Sequence, residues 1–252
     1  MQSSKIPITT HISSNDKENG EILNPVVNIS EIFFSIQGEG NYTGEPTVFI
    51  RFQGCTLGCT WCDTKYTWDW KNYDYTKEVK EMTIEEIKEQ LIDLEIKHLV
   101  ITGGEPLLQQ DDLADLLSFL KPDFYVEIET NCTILPNKML TDLIDQWNVS
   151  PKTKNSGNPL ELCENNECYY FFANQENCFF KYVVENESDI PEIKKFVTKY
   201  NIPENRVQLM TQASTKEEIR SREKSISELA KLYNYSFSPR LHVAMWGAQR
   251  GK

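Results

Sequence analysis

Cys55, Cys59 and Cys62 lie on one short stretch, Gly54-Cys-Thr-Leu-Gly-Cys-Thr-Trp-Cys-Asp-Thr64, with the spacing C-x3-C-x2-C. Three thiolates on such a loop can hold three irons of a [4Fe–4S] cluster and leave the fourth iron without a protein ligand. Clusters that only pass electrons are usually held by four cysteines. A three-cysteine loop therefore points to an iron left open for a substrate or cofactor. Zinc fits less well, because a structural zinc takes four ligands, usually from two Cys/His pairs. The chain has no second CxxC pair, and His11, His98 and His242 are remote in sequence. A disulfide framework fails on an odd count of seven cysteines and on the lack of a secretory signal segment. Three chemically idle buried thiols are the remaining alternative.

The loop needs a scaffold, and strands and helices alternate after residue 25. Thr47–Phe52 is a β-rich run that ends at the cysteine loop. Thr83–Leu94 has helical spacing, with Thr83 and Glu86 placed for a capping box. Strands are expected at His98–Thr102, Tyr125–Glu129, Trp147–Lys152, Phe179–Val184, Arg206–Met210 and Leu241–Trp246. Helices are expected at Leu107–Leu120, Asn137–Gln146, Asp189–Tyr200 and Ser214–Tyr233. Thr153–Asn177 reads as a long insertion, with Cys163, Cys168 and Cys178 as incidental thiols. Such alternation implies an α/β fold with a parallel sheet or barrel. In that fold polar groups gather at the carboxyl ends of strands, so the segments after these strands should meet on one rim.

Composition bounds the function class. At 252 residues, 39% hydrophobic and 25% charged, the chain suits one soluble domain over 26–252. Residues 1–25 are polar and aperiodic and read as a disordered arm. A formal net charge of −12 argues against a general nucleic-acid surface. No apolar run reaches the ~20 residues that span a bilayer, so no membrane partner is expected. Free thiols fit a reducing cytoplasm.

The cysteine spacing resembles that of the radical S-adenosylmethionine (SAM) superfamily. Further blocks narrow the resemblance. They are Glu31-Ile-Phe-Phe-Ser-Ile-Gln-Gly-Glu-Gly40, Gly44-Glu-Pro46, Phe49-Ile-Arg51, Cys62-Asp-Thr64 with Tyr66, and Thr102-Gly-Gly-Glu-Pro106. Ser150-Pro-Lys152, Gln208-Leu-Met210 and the terminal Trp246-Gly-x-x-Arg-Gly251 complete the ordered set. From about residue 28 onward the chain is similar to the 7-carboxy-7-deazaguanine synthase (QueE) family. That resemblance implies a partial, reduced TIM-like radical SAM barrel. It also implies a lyase that converts 6-carboxy-5,6,7,8-tetrahydropterin to 7-carboxy-7-deazaguanine with release of ammonia, in queuosine-type 7-deazapurine biosynthesis. The implied cofactors are a [4Fe–4S] cluster, regenerated SAM and Mg²⁺. The implied partners are the pterin substrate, an electron donor such as flavodoxin or ferredoxin, and a second copy in a homodimer.

The resemblance also distributes roles. Cys55, Cys59 and Cys62 would ligate the cluster, and Thr64 would bind Mg²⁺ through its hydroxyl; on spacing alone Thr64 is equally a turn or N-cap residue. Trp61, Cys62, Asp63, Gly104, Glu129, Ser150, Pro151, Lys152, Gln208, Leu209 and Met210 would form the SAM site. Gly103 and Gly104 would let backbone approach SAM without a Cβ in the way, or simply make a tight turn. Glu129 holds ribose hydroxyls or is a solvated strand end. Ile36, Gln37, Gly38, Arg51, Thr102 and His242 would contact the substrate, with Glu39 able to add a carboxylate. Arg51 suits a carboxylate bidentately; the alternative is a surface ion pair. His242, placed on the last strand, donates a hydrogen bond, moves a proton, or is structural. Cys132 departs from the family's Gly after Glu-Thr-Asn and would put an extra thiol near the site. Two other functions stay open: a glycyl-radical activating enzyme, whose cluster loop has the same spacing, and a non-catalytic iron–sulfur protein.

Overall fold

The computed structural model describes residues 25–91 and 94–252. The arm expected over 1–25 lies outside them except for Pro25. The described chain forms a nine-stranded sheet in the order β3-β1-β2-β4-β5-β6-β7-β8-β9. The strands are β1 (Val26–Ile36), β2 (Pro46–Phe52), β3 (Lys80–Thr83), β4 (His98–Gly103), β5 (Tyr125–Thr130), β6 (Gln146–Val149), β7 (Cys178–Val184), β8 (Val207–Thr211) and β9 (Ser236–Ser238). From β2 through β9 all neighbours pair parallel, while β1 runs antiparallel to both β2 and β3. Among the described residues β3 and β9 are free edges, so the sheet is an open, partial barrel.

Side chains alternate across each strand, and here the alternation separates two kinds of interior. One face carries Ile50, Leu99, Ile101, Ile128, Trp147, Phe180, Tyr182 and Leu209, all fully buried. These residues belong to one continuous core that includes Leu113, Leu116 and Leu117 of helix Gln110–Leu120 and Ile193 and Phe196 of helix Ile190–Lys199. The other face carries Thr102, Glu127, Gln146, Asn148, Lys181 and Gln208, buried yet polar. Such groups are retained inside only when partnered. Glu127 accepts from Gln146 Nε2 at 3.3 Å and also from Asn148, and Gln146 donates to Asn148 at 3.0 Å.

The loop after β1 completes this polar face. Gly40 N–H donates to Ser238 Oγ of β9 at 2.8 Å, Asn41 reaches Gln146 Oε1 at 3.3 Å, and Gln208 reaches Asn41 Oδ1 at 2.7 Å. A segment continuous with one half of the sheet is thereby tied to the strands of the other half.

Several expected boundaries change. The capping box of Thr83 and Glu86 forms, with reciprocal bonds of 3.2 and 2.8 Å, and starts helix Ile84–Leu91; positions 92 and 93 lie outside the described residues. The helix expected over Asn137–Gln146 is one turn, Lys138–Thr141, because β6 already begins at Gln146. Leu241–Trp246 is a helix, not the last strand, which is Ser236–Ser238. A short apolar run does not distinguish the two states by periodicity. Gly247 ends this helix at φ 71° and ψ −147°, a backbone conformation open to glycine but strained for residues with a Cβ. Thr153–Asn177 does lie between β6 and β7, but it holds a 3₁₀ turn at Lys154–Ser156 and helices at Leu160–Cys163 and Asn166–Ala173. No helix among the described residues is long and apolar enough to cross a membrane.

Candidate active site

The strand ends surround a cavity of about 220 Å³. The thiols of Cys55, Cys59 and Cys62 lie at it, on the loop that leaves β2. Among the described residues no three His, Cys, Asp or Glu side chains converge as a single-ion site requires. Each cysteine sulfur accepts one side-chain N–H: Asn131 Nδ2 to Cys55 at 3.7 Å, Asn158 Nδ2 to Cys59 at 3.2 Å, and Trp68 Nε1 to Cys62 at 3.4 Å. Burial pushes the Cys55 thiol up to about 12, with Glu105 and the other two cysteines adding to it. Burial raises the Cys59 thiol as well, and three thiols gathered at one cavity are a donor set completed by a positive centre that suits an iron–sulfur cluster.

The residues that shape this loop lie far off in sequence. Thr60 N–H donates to Ser156 O at 2.9 Å, and Trp61 Nε1 donates to Asn155 O at 3.0 Å. The Trp61 ring also lies under the Lys152 ammonium, 5.8 Å from its centroid. On the other side stands the Gly103-Gly104 turn. A Cβ on Gly104 would fall 2.0 Å from Gly54 O, so glycine here lets two backbones meet, and the turn reading holds whatever the cofactor does. Glu105 N–H donates to Gly54 O at 2.8 Å. The Glu105 carboxylate accepts from Leu107 N–H, the Thr130 hydroxyl and Asn131 N–H at 3.1, 2.9 and 2.7 Å. Burial still lifts this carboxyl to about 7, against those hydrogen bonds.

The opposite wall is a charged network. Lys181, with 5% of its side chain exposed, donates to Glu39 at 2.6 Å and to Glu129 at 3.2 Å. Arg240 Nε donates to Glu39 at 3.0 Å, and its Nη2 donates to Asp63. Burial alone would raise the Glu39 carboxyl, but Lys181 and Arg240 outweigh it and hold Glu39 well below the carboxylate range. Glu129 also accepts from the Thr102 hydroxyl at 2.8 Å, so it is a network member rather than a solvated strand end. His242 Nε2 is 3.9 Å from Glu39 Oε1. Its burial lowers its proton affinity, Glu39 opposes that and Arg240 adds to it, and the net shift is downward.

A third wall is aromatic and cationic. Phe33 and Phe49 stack at 4.9 Å, and the Arg51 guanidinium lies over Phe33, 5.4 Å from its centroid. Arg51 Nε pairs with Glu31 at 2.9 Å, but the pair is mostly buried rather than the surface ion pair weighed as the alternative. No hydrogen bond among the described residues engages the two Nη groups. Gln37 is 2% exposed, and its Nε2 is a buried donor with no partner among the described residues. Thr64 is the N-cap residue of the 3₁₀ turn Lys65–Thr67, as its position suggests, but its hydroxyl makes no cap bond there.

Of the residues singled out in the sequence, Ile36, Gln37, Gly38, Arg51, Thr102 and His242 all line this one cavity. So do Trp61, Cys62, Asp63, Thr64, Gly104, Glu129, Ser150, Lys152 and Met210. Three do not. Gln208 belongs to the polar network with Asn41, Leu209 faces the helix layer fully buried, and Pro151 lies off the lining. Cys132 sits in the main apolar core rather than at the cavity, with φ 72°. That left-handed conformation is the one a glycine adopts freely, and the thiol expected near the site is packed in the core instead. Lys181, Arg240, Phe33 and Asn158 were not found from sequence. Lys181 carried a signal, being a lone charge in the apolar run Cys178-Phe-Phe-Lys-Tyr-Val-Val184.

Residues 49–150 match the radical SAM superfamily. The chain is 38% identical over 230 residues to the 7-carboxy-7-deazaguanine synthase of Pyrobaculum aerophilum, covering 90% of this chain and 98% of that one. It is 36% identical over 229 residues to the enzyme of the same name from Hyperthermus butylicus, covering 88% and 93%. The crystal structure of QueE from Escherichia coli superposes with a TM-score of 0.60 at 27% identity, covering 86% of this chain and 95% of that one.

Proposed function

The chain belongs to the 7-carboxy-7-deazaguanine synthase family of radical SAM enzymes, and from that premise we propose how its own residues carry the reaction. The family implies a [4Fe–4S] cluster and SAM, which when bound supply one-electron radical chemistry at the substrate. The substrate is 6-carboxy-5,6,7,8-tetrahydropterin and the product 7-carboxy-7-deazaguanine, with ammonia released. The glycyl-radical activating and non-catalytic readings are set aside by the family match.

One observation carries the assignment of residues: the three thiols and a partly unsatisfied arginine, Arg51, line the same cavity. The Arg51 Nη groups suit the substrate carboxylate, since Nε is already held by Glu31. The unpartnered Gln37 Nε2 suits a carbonyl of the aminopyrimidinone edge. Phe33 and Phe49 offer an apolar wall for a flat ring. His242 can donate or accept a proton beside Glu39. Trp61, Ser150, Lys152, Met210 and Glu129 would hold SAM next to the cysteines. The Thr64 hydroxyl would be the protein ligand of a Mg²⁺ that otherwise keeps water and substrate oxygens. A flavodoxin or ferredoxin would supply the electron, and the working form would be a cytoplasmic homodimer.

Arg51→Ala tests the substrate wall. Losing a bidentate charged contact costs about 3 kcal/mol, or about a hundredfold in kcat/KM for the carboxypterin. Iron content and SAM binding should be unchanged. Turnover equal to the parent would remove Arg51 from the substrate site.

A further inference from the structure

We propose that side-chain N–H groups aimed at the cluster-ligating sulfurs from outside the three cysteines, chiefly those of Asn158 and Trp68, set the reduction potential of the cluster. The inference rests on the iron–sulfur reading above and deepens it.

Each of the three sulfurs receives one such donor, but the donors are not equivalent. The Asn131 amide, 3.7 Å from Cys55, also gives a hydrogen bond to Thr56 Oγ1 at 2.9 Å. Asn158 and Trp68 are closer, at 3.2 and 3.4 Å. The orientation of the Asn158 amide is fixed by its other end. Its Oδ1 accepts Gly58 N–H at 2.9 Å, which turns the NH2 group to Cys59, and Ser156 Oγ takes the second proton at 3.1 Å. Trp68 lies against the same glycine: a Cβ on Gly58 would sit 3.3 Å from its ring. The two donors thus bracket the middle of the cysteine loop from opposite chain segments.

An N–H dipole pointing at a thiolate sulfur stabilises the more negative, reduced state of the cluster. Hydrogen bonds to the sulfurs are among the recognised determinants of cluster potential. Removing a donor should therefore make the cluster harder to reduce, while leaving the three ligands in place. Asn158 and Trp68 are positioning residues in this sense, acting on the reaction through the cluster.

The test is an EPR-monitored redox titration of the full-length, iron-reconstituted protein without SAM, with iron and sulfide content measured in parallel. Trp68→Phe keeps an aromatic ring over Gly58 and deletes the N–H. Asn158→Leu keeps the approximate volume and deletes the amide. Each is expected to shift the reduction equilibrium about tenfold, a midpoint about 59 mV more negative for a one-electron couple. The double variant should shift it about a hundredfold if the two donors act independently. Should Asn158→Leu lose its cluster along with the Gly58 bond, Trp68→Phe alone decides. Fully loaded variants that titrate at the parent's midpoint would overturn the inference and leave the iron–sulfur reading standing. A parent protein that takes up no [4Fe–4S] cluster would instead overturn that reading.

Discussion

Lys181→Met is the sharpest test of the charged wall. Lys181 is the cation between two carboxylates, Glu39 at 2.6 Å and Glu129 at 3.2 Å, with 5% of its side chain exposed. Methionine keeps most of the apolar stem and removes the ammonium. Breaking a buried ion pair from one side costs roughly 3–5 kcal/mol, because the other charge is left buried. Both carboxylates retain a donor here, Arg240 Nε for Glu39 at 3.0 Å and the Thr102 hydroxyl for Glu129 at 2.8 Å. The low end applies, about 3 kcal/mol, equivalent to about 6–12 °C in Tm for a domain of this size. The pH dependence gives a second, independent readout. The Glu39 carboxyl is held below its ordinary value of 4.5, so its contribution is present above that value and is lost as pH falls through the folded-state value. Without Lys181 the folded-state value moves back up, and acid unfolding should begin at higher pH. Urea unfolding of the cluster-free protein across pH 3–8, followed by circular dichroism, reads both. A loss under about 0.5 kcal/mol, typical of a surface change, together with an unmoved acid limb, would refute the reasoning.

Other expectations follow from the loop supports. Gly157 has φ 78°, and a Cβ there would meet Thr60 Cγ2 at 2.6 Å. Gly157→Ala should cost about 1–2 kcal/mol for the left-handed backbone alone, and it should slow iron uptake as the Asn155–Asn158 segment is pushed off the loop. Thermal unfolding and iron content measure this, and a parent-like Tm with parent-like iron uptake would remove Gly157 as a required contact. Glu105→Gln keeps the two bonds to Oε1 and sets an NH2 against Asn131 N–H, a cost of about 1–3 kcal/mol. The Glu105 carboxyl is raised from 4.5 to about 7, so its contribution is full below 4.5 and is lost as pH rises through 7. The parent should lose stability over that window and the Gln variant should lack that slope. Urea unfolding at pH 5 and 8 compares them, and equal slopes would contradict the assignment.

What the sequence displayed depended on how far apart the cooperating residues lie. The cysteine loop, Gly-Gly-Glu-Pro and Arg51 were legible because a few adjacent positions carry each of them. Lys181 and Arg240 were not, because their meaning comes from Glu39, whose loop crosses from β1 to β9. Asn155–Asn158 was correctly read as lying between strands, but its role rests on contacts with Gly58, Thr60 and Trp61 that no local pattern reports. The long strand β1 was missed because Ser30, Glu31 and Ser35 interrupt its apolar residues, although it places Phe33 beside Phe49. His242 was found on the wrong element, since Leu241–Trp246 is too short to show a period, while Gly247 held the overlooked stop signal. The polar inner face was visible in β5 as Glu127 and Glu129 on alternate positions, which a purely apolar barrel core would not tolerate.

The most direct measurement is an anaerobic assay of the iron-reconstituted protein with SAM, a strong reductant, Mg²⁺ and 6-carboxytetrahydropterin, quantifying 7-carboxy-7-deazaguanine and 5′-deoxyadenosine together. The expected result is deazaguanine in many-fold excess over 5′-deoxyadenosine, because SAM is regenerated. 5′-Deoxyadenosine without deazaguanine, from a fully loaded cluster, would contradict the assigned substrate.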